Sequence, residues 1–243
     1  MRLGLGLAVA QLAASAGIAG GGEPEGAQIV GTPLAIPTSG AHSTVSSTAY
    51  DHPGGGLAAI VSGRPTTGGA QTVTGTWNGG AFEVAVNSST AGLQANDTYV
   101  VILLLKDADA GTQALELNLG VSNSDSVVTL VSLASLAEEP IGATNSSAEY
   151  ASSGNQQAAG ITTTAAGSLV LAGAAISLGT TASFAEPFAE VLDTPSDGGT
   201  GTSTITQAVA QASPAEGASV TATATFGGSD DGRAVALVEI LAA

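Results

Sequence analysis

The sequence predicts an all-β protein, an antiparallel β-sandwich of the jelly-roll type, and three observations carry this prediction. Short runs rich in Val, Ile, Leu and Thr recur about every 8–12 residues, a spacing typical of sandwiches. The densest runs lie in the region 97–139, where Tyr99–Leu105 is continuously apolar and Leu115–Val121 alternates between apolar and polar residues. No segment keeps the apolar period of a helix over three turns.

Residues 1–26 are predicted to form an N-terminal arm rich in Gly and Leu, followed by a Gly-rich hinge. Leu3, Leu5, Leu7 and Val9 alternate with small residues, so in an extended arm they would form one apolar strip. An exposed strip of this kind marks an interaction surface, and we therefore expect these four residues to anchor the chain to a partner. A secretory signal peptide, with its cleavage site at residues 14–16, is the alternative interpretation.

Residues 27–243 are predicted to be one β-sandwich domain that begins with an edge strand interrupted by Pro33 and Pro37. The Asn78-Gly79 pair predicts a tight hairpin, a turn is expected at 122–125, and Glu138-Glu139-Pro140 is expected to break the strand pattern. Long loops are predicted at 142–160 and 193–201. The predicted strands are 28–36, 43–48, 57–62, 71–77, 81–86, 99–105, 115–121, 127–133, 161–164, 168–178, 203–211, 219–226 and 234–241.

Charge and composition exclude several classes of function. The chain of 243 residues has 20 acidic residues against four basic ones, a net charge of −16, and such a surface repels the phosphate backbone of nucleic acids. Cysteine is absent, which excludes disulfides, thiolate metal sites and a Cys nucleophile. The apolar runs are too short to span a membrane as helices, so no membrane insertion is expected.

No catalytic or metal-binding motif stands out. His42 and His52 are the only histidines, no Gly-x-Ser-x-Gly elbow accompanies them, and they are expected to be solvated loop residues. Asp107, Asp109 and Gly111 match the first half of a calcium loop, but Asn118 stands where the final Glu should be, which favours a tight turn. No enzyme activity and no cofactor are predicted.

Trp77 is the one aromatic residue considered for a surface-binding role. Sugar-binding clefts usually contain stacking aromatic residues, and this sequence has a single Trp. Beside the Asn78-Gly79 turn, however, a Trp is more typical of a core or interface anchor. A carbohydrate-active enzyme therefore remains an alternative function, with its carboxylate pair unassigned.

Three segments carry a resemblance to a known group of proteins. They are the opening Met1–Leu7 with its Gly-rich hinge, the hairpin Gln71–Gly79 and the final strand Arg233–Ile240. In these the chain resembles virion surface proteins of tailed bacteriophages and of gene transfer agents of marine alphaproteobacteria.

The resemblance implies a non-enzymatic β-sandwich displayed on the surface of a virion, as a tail fibre or a head decoration. Its expected partners are other virion structural proteins, further copies of itself (a trimer if the protein is fibre-like) and a host surface glycan or protein. A secreted bacterial adhesin or surface-layer module, located outside the cell and carrying a signal peptide, is the alternative.

Overall fold

The computed structural model describes residues 26–90, 92–150, 154–177, 181–196, 205–227 and 232–243. These residues form antiparallel β-sheets, which confirms the predicted all-β sandwich. Within the described ranges, no helix has the length and apolar character needed to cross a membrane. The strands are β1 Gln28–Ser47, β2 Asp51–His52, β3 Gly55–Pro65, β4 Thr74–Trp77, β5 Gly80–Ala81, β6 Glu83–Asn87, β7 Tyr99–Ala108, β8 Gly111–Thr112, β9 Leu115–Ala134, β10 Leu136–Glu149, β11 Gln156–Thr162, β12 Leu169–Ser177, β13 Ala182–Phe184, β14 Ala189–Pro195, β15 Ile205–Ala212, β16 Ser219–Phe226 and β17 Arg233–Ala242.

The largest sheet has seven strands and is centred on β9. In hydrogen-bonding order its strands are β5-β4-β9-β3-β7-β6. β4 and β3 pair with successive parts of β9, and β1 pairs with β9 along the opposite edge. The apolar run of β7 lies beside β3, where Ile60 is paired with Ile102. Ile102 and Leu104 are both buried, as their place in the densest apolar run predicts. Alternate residues of its central strands belong to two different apolar clusters, so the sheet carries one cluster on each face.

Two further sheets complete the layers, and a small two-stranded sheet pairs β2 with β8. The five-stranded sheet β10-β17-β12-β15-β14 packs on one face of the large sheet. The three-stranded sheet β11-β16-β13 packs on the opposite face of the five-stranded sheet. Small residues bring the first two sheets close together. A Cβ atom on Gly173 of β12 would lie 2.7 Å from Cγ2 of Ile60, so the sheets can approach this closely only with glycine at this position.

The predicted turn at 122–125 is wrong, because β9 continues through it as a single strand of 20 residues. Local propensity favours a turn for Ser-Asn-Ser-Asp, but neighbouring strands lie on both sides of this segment. Asp125 is paired with Ser39 of β1 on one side and with Arg64 of β3 on the other. Pairing on both edges satisfies the main-chain polar groups and keeps the segment extended.

The predicted break at Glu138–Pro140 and the loop at 142–160 are also wrong. Residues 136–149 form β10 and residues 156–162 form β11. β10 is an edge strand, where a proline is tolerated, and its register shifts on either side of Ile141. β11 is held by pairing with the regular strand β16. The first residues of the predicted loop at 193–201 are also strand, since β14 extends to Pro195, and residues 197–201 lie outside the described residues.

Candidate functional site

A groove of about 620 Å³ lies on the large sheet, where β1 and β4 flank the first residues of β9. A second cavity of about 300 Å³ shares Ser46 and Glu116 with it. The groove is lined by Thr44, Val45, Ser46, Thr74, Gly75, Thr76, Ala81, Phe82, Glu116, Leu117 and Asn118.

The polar character of the groove follows from strand alternation. Leu115 and Leu117 of β9 are buried, so Glu116 and Asn118 lie on the opposite, exposed face, as the alternating pattern of the sequence predicts. Paired residues of neighbouring strands share a face. The register therefore forms two polar rows across β1, β9 and β4: Thr44, Asn118 and Thr74 in one row, and Ser46, Glu116 and Thr76 in the next.

The two central side chains of these rows differ in how they are held. The Oδ1 atom of Asn118 accepts a hydrogen bond from the main-chain N–H of Gly120 at 2.9 Å, which fixes the amide and leaves its NH2 group as a donor. Glu116 is exposed and takes part in neither of the two salt bridges found among the described residues. The groove thus offers one oriented amide, one carboxylate and four hydroxyl groups.

Trp77 lies in the core, so the structure does not support a surface-binding role for it. It occupies the position after Thr76 on β4, and alternation directs it to the buried face, where it is 1% exposed. Its Nε1 donates a hydrogen bond to the carbonyl oxygen of Asp109 at 2.9 Å. Its ring meets those of Tyr50 and His52 edge-on, with ring centroids 6.1 Å and 6.0 Å apart. Trp77 is therefore a core anchor.

His52 is buried rather than solvated, contrary to the expectation from sequence. It is 1% exposed, and its Nδ1 lies 2.7 Å from the Oγ atom of Ser132, which in turn lies 2.6 Å from the hydroxyl of Tyr50. A consistent arrangement has Tyr50 donating to Ser132 and Ser132 donating to a neutral His52. Ser132 is 0% exposed, so the pair has no access to a substrate.

His42 occupies a different environment on β1. It is half-buried, its Nε2 lies 2.7 Å from the Oγ atom of Ser126, and its Nδ1 lies 2.6 Å from the carbonyl oxygen of Gly40. These contacts hold the imidazole against the sheet. His42 does not line the groove.

Burial lowers the pKa of His52 below its ordinary value of 6.5, although the nearby carbonyl of Gly55 acts in the opposite direction. The unfolded chain then binds a proton at a higher pH than the folded protein does. The stability contributed by neutral His52 is therefore complete above about pH 6.5 and declines as the pH falls below that value. We expect His52→Asn to flatten the fall in unfolding free energy between about pH 7.5 and about pH 5, measured by urea denaturation.

Asp193 provides the control for this measurement, because its shift has the opposite sign. Burial, followed by the charge of Glu190, raises its pKa to about 6. Its contribution therefore weakens as the pH rises from about 4 through 6, and Asp193→Asn should gain stability relative to the wild type above about pH 6. A pH profile of His52→Asn that parallels the wild-type profile would contradict the role assigned to His52.

Of the other residues singled out in the sequence, the structure describes Asp109 but not the four apolar residues of the arm. Asp109 lies in the turn between β7 and β8, where its Oδ2 accepts a hydrogen bond from Asn78 Nδ2 at 2.8 Å, so the turn interpretation is confirmed. Leu3, Leu5, Leu7 and Val9 lie outside the described residues. No group of three or more metal-ligating side chains occurs in the described ranges.

The groove residues from β1 and β4 are the ones that sequence reasoning missed. Alternation identifies the exposed side of β9, but the pairing of this strand with residues 44–46 and 74–76 is a long-range feature with no local signal. Comparison with known proteins adds no further assignment, since no family model, no curated protein and no solved structure matches the chain.

Proposed function

We propose that the chain is a non-enzymatic structural protein of a phage virion, displayed on the particle surface as a tail fibre or head decoration. The observation that carries this proposal is the difference between the core of the sandwich and its exposed face. His52 and Ser132, the side chains most suited to catalysis, are paired inside the core, whereas the exposed sheet face carries a polar groove. This combination suits a scaffold that holds a binding surface.

The packing of the body supports the same proposal. Three apolar clusters lie between and around the sheets, and Ala and Val make up much of them. Small side chains in stacked sheets allow close approach and limit rearrangement, which suits a protein exposed on a particle. The groove faces solvent and would be available to a host surface molecule.

The N-terminal arm provides the attachment in this proposal. The apolar strip of Leu3, Leu5, Leu7 and Val9 would bind other virion proteins or the same strip in neighbouring copies, and the Gly-rich hinge would allow the body to face outward. A trimer is the oligomer expected if the protein is a fibre.

We expect deletion of residues 2–19 to abolish oligomer formation and particle association while leaving the sandwich folded. The physical reason is that the deletion removes the apolar strip and leaves residues 27–243 intact. The measurements are light scattering for mass and co-sedimentation with particles from the native source. Full-length protein with Ser at the four strip positions is the matched control, because it tests the strip without shortening the chain. Assembly of either variant at the wild-type level would contradict the anchoring role.

The secreted adhesin or surface-layer module is the second candidate, because an exposed polar groove would serve it equally well. Mass spectrometry of the native protein separates the two. An intact N-terminus in protein that co-purifies with a capsid protein supports the virion component, and a chain cleaved near Ala16 supports the secreted module.

A carbohydrate-active enzyme fits the groove less well. Glu116 is the single carboxylate among the described residues that line it. Glycoside hydrolysis by the usual mechanisms needs two carboxyl groups across the scissile bond. The groove therefore favours binding over hydrolysis.

A further inference from the structure

We propose that the groove between β1, β9 and β4 is a binding site for a neutral oligosaccharide. This inference deepens the binding role in the proposed function and rests on it. Three properties of the groove carry it: the arrangement of its polar groups, its charge and its shape.

The polar groups match the hydroxyl pattern of a sugar. Glu116 can accept two hydrogen bonds from neighbouring sugar hydroxyls, and the oriented NH2 group of Asn118 can donate to a third. Each lies between two hydroxyl side chains contributed by β1 and β4. Ser and Thr hydroxyls both donate and accept, so this surface can meet a ligand in which donors and acceptors alternate.

The charge of the groove selects against acidic ligands. The chain has a net charge of −16, and none of the described Lys and Arg residues lines the groove to balance Glu116. Sulfated, phosphorylated or sialylated sugars would bring negative charge next to this carboxylate. A neutral sugar avoids that repulsion and satisfies the carboxylate through its hydroxyls.

The shape favours a short chain of sugar rings over a peptide. The volume of about 620 Å³ is typical of a small-molecule site, and the adjoining cavity lengthens it. Phe82 and Ala81 add apolar surface for the C–H faces of the rings. A peptide that adds a strand needs an open sheet edge, whereas the groove lies on the face of the sheet over β9, which is paired on both sides there.

The test is a titration of the full-length protein followed by ¹H–¹⁵N chemical shifts. The probes are neutral trisaccharides of glucose, galactose, mannose, N-acetylglucosamine and N-acetylgalactosamine, with sialyllactose as the acidic probe and a lysine-rich peptide as the non-sugar probe. We expect at least one neutral trisaccharide to shift the amides of the groove strands, and sialyllactose to bind at least about tenfold more weakly than that sugar. Absence of binding by every neutral sugar, or preferential binding of the acidic sugar or of the peptide, would overturn the assignment.

Two variants locate the site. Glu116→Ala and Asn118→Ala should each weaken binding of the best neutral sugar about tenfold, because each removes a hydrogen-bonding group from the centre of a polar row. Glu83→Ala is the control, since Glu83 is an exposed strand carboxylate outside the groove and its loss should leave the affinity unchanged. Equal binding by the Glu116 and Asn118 variants and the wild type, with all variants folded, would overturn the site.

The outcome can be separated from that of the proposed function. Sugar binding is measured on the body of the full chain, whereas virion attachment is measured by particle association of the arm variants. If no neutral sugar binds while the protein still associates with particles, only this inference is contradicted. Sugar binding by a protein that never associates with particles supports this inference and removes the virion proposal.

Discussion

Replacing Gln207 by Glu is expected to lower the free energy of unfolding by about 3–5 kcal/mol at neutral pH, the range typical of an uncompensated buried charge. Gln207 lies on β15, is 1% exposed and reaches across the interface into the large sheet. Its Nε2 donates to the carbonyl oxygens of Ile60 at 3.0 Å and Val127 at 3.2 Å, and lies 2.7 Å from the Oγ atom of Ser62. An ionised carboxylate oxygen at the position of Nε2 has no proton to donate, so it would lie against the carbonyl oxygens of Ile60 and Val127 without a hydrogen bond to either.

Two comparisons make this result specific. Gln211→Glu changes the same residue type on the same strand at a half-buried position, and should cost less than about 1 kcal/mol. Lowering the pH should restore part of the stability of Gln207→Glu, because burial raises the pKa of the introduced carboxyl and the protonated form can donate again. Urea unfolding of the three proteins at about pH 7 and about pH 5 provides the measurement. Equal stability of the two variants at neutral pH would show that Gln207 does not link the sheets.

Gln207 also shows what the sequence could not predict about the core. Its strand was predicted at 203–211, which overlaps the observed β15 at residues 205–211, because apolar and small residues identify a strand locally. A buried glutamine that serves the opposite sheet has no local pattern. Its partners Ser62 and Thr129 belong to strands far away in the chain, and only tertiary packing brings them together.

The strands with the clearest patterns were predicted best. The continuous apolar run of β7 and the alternation at the start of β9 identified both the buried faces and the exposed position of Glu116. The errors fall where pairing overrides local propensity. Residues 122–125 have the composition of a turn, yet two neighbouring strands hold them extended.

The same contrast applies to the candidate site. The central polar residues of the groove could be predicted, since alternation places Glu116 and Asn118 on the solvent-exposed face of the strand. The hydroxyls on either side come from β1 and β4, whose register with β9 depends on the whole sheet. His52 was predicted to be solvated because its sequence context resembles a loop. In the structure it is buried in contact with Ser132 and Trp77, which are both distant in sequence.

Replacing Trp77 by Ala is expected to cost about 3–5 kcal/mol of unfolding free energy, the usual range for removing a buried Trp side chain. The substitution leaves a cavity beside Tyr50 and His52 and removes the donor to the carbonyl oxygen of Asp109. Trp77→Phe keeps an aromatic ring but loses the donor, and should cost about 1–2 kcal/mol. The measurement is thermal and urea unfolding followed by far-UV circular dichroism, since both variants lack the single Trp of the chain.

The wild-type protein gives an independent check, because emission from the single Trp should be blue-shifted in the folded state and move to the red on unfolding. Val84→Ala is the control for the hairpin region. Val84 is 46% exposed on β6, so its truncation should change the stability by less than about 0.5 kcal/mol. A Trp77→Ala variant as stable as Val84→Ala, together with red-shifted emission from the folded wild type, would place Trp77 at the surface and restore it as a binding residue.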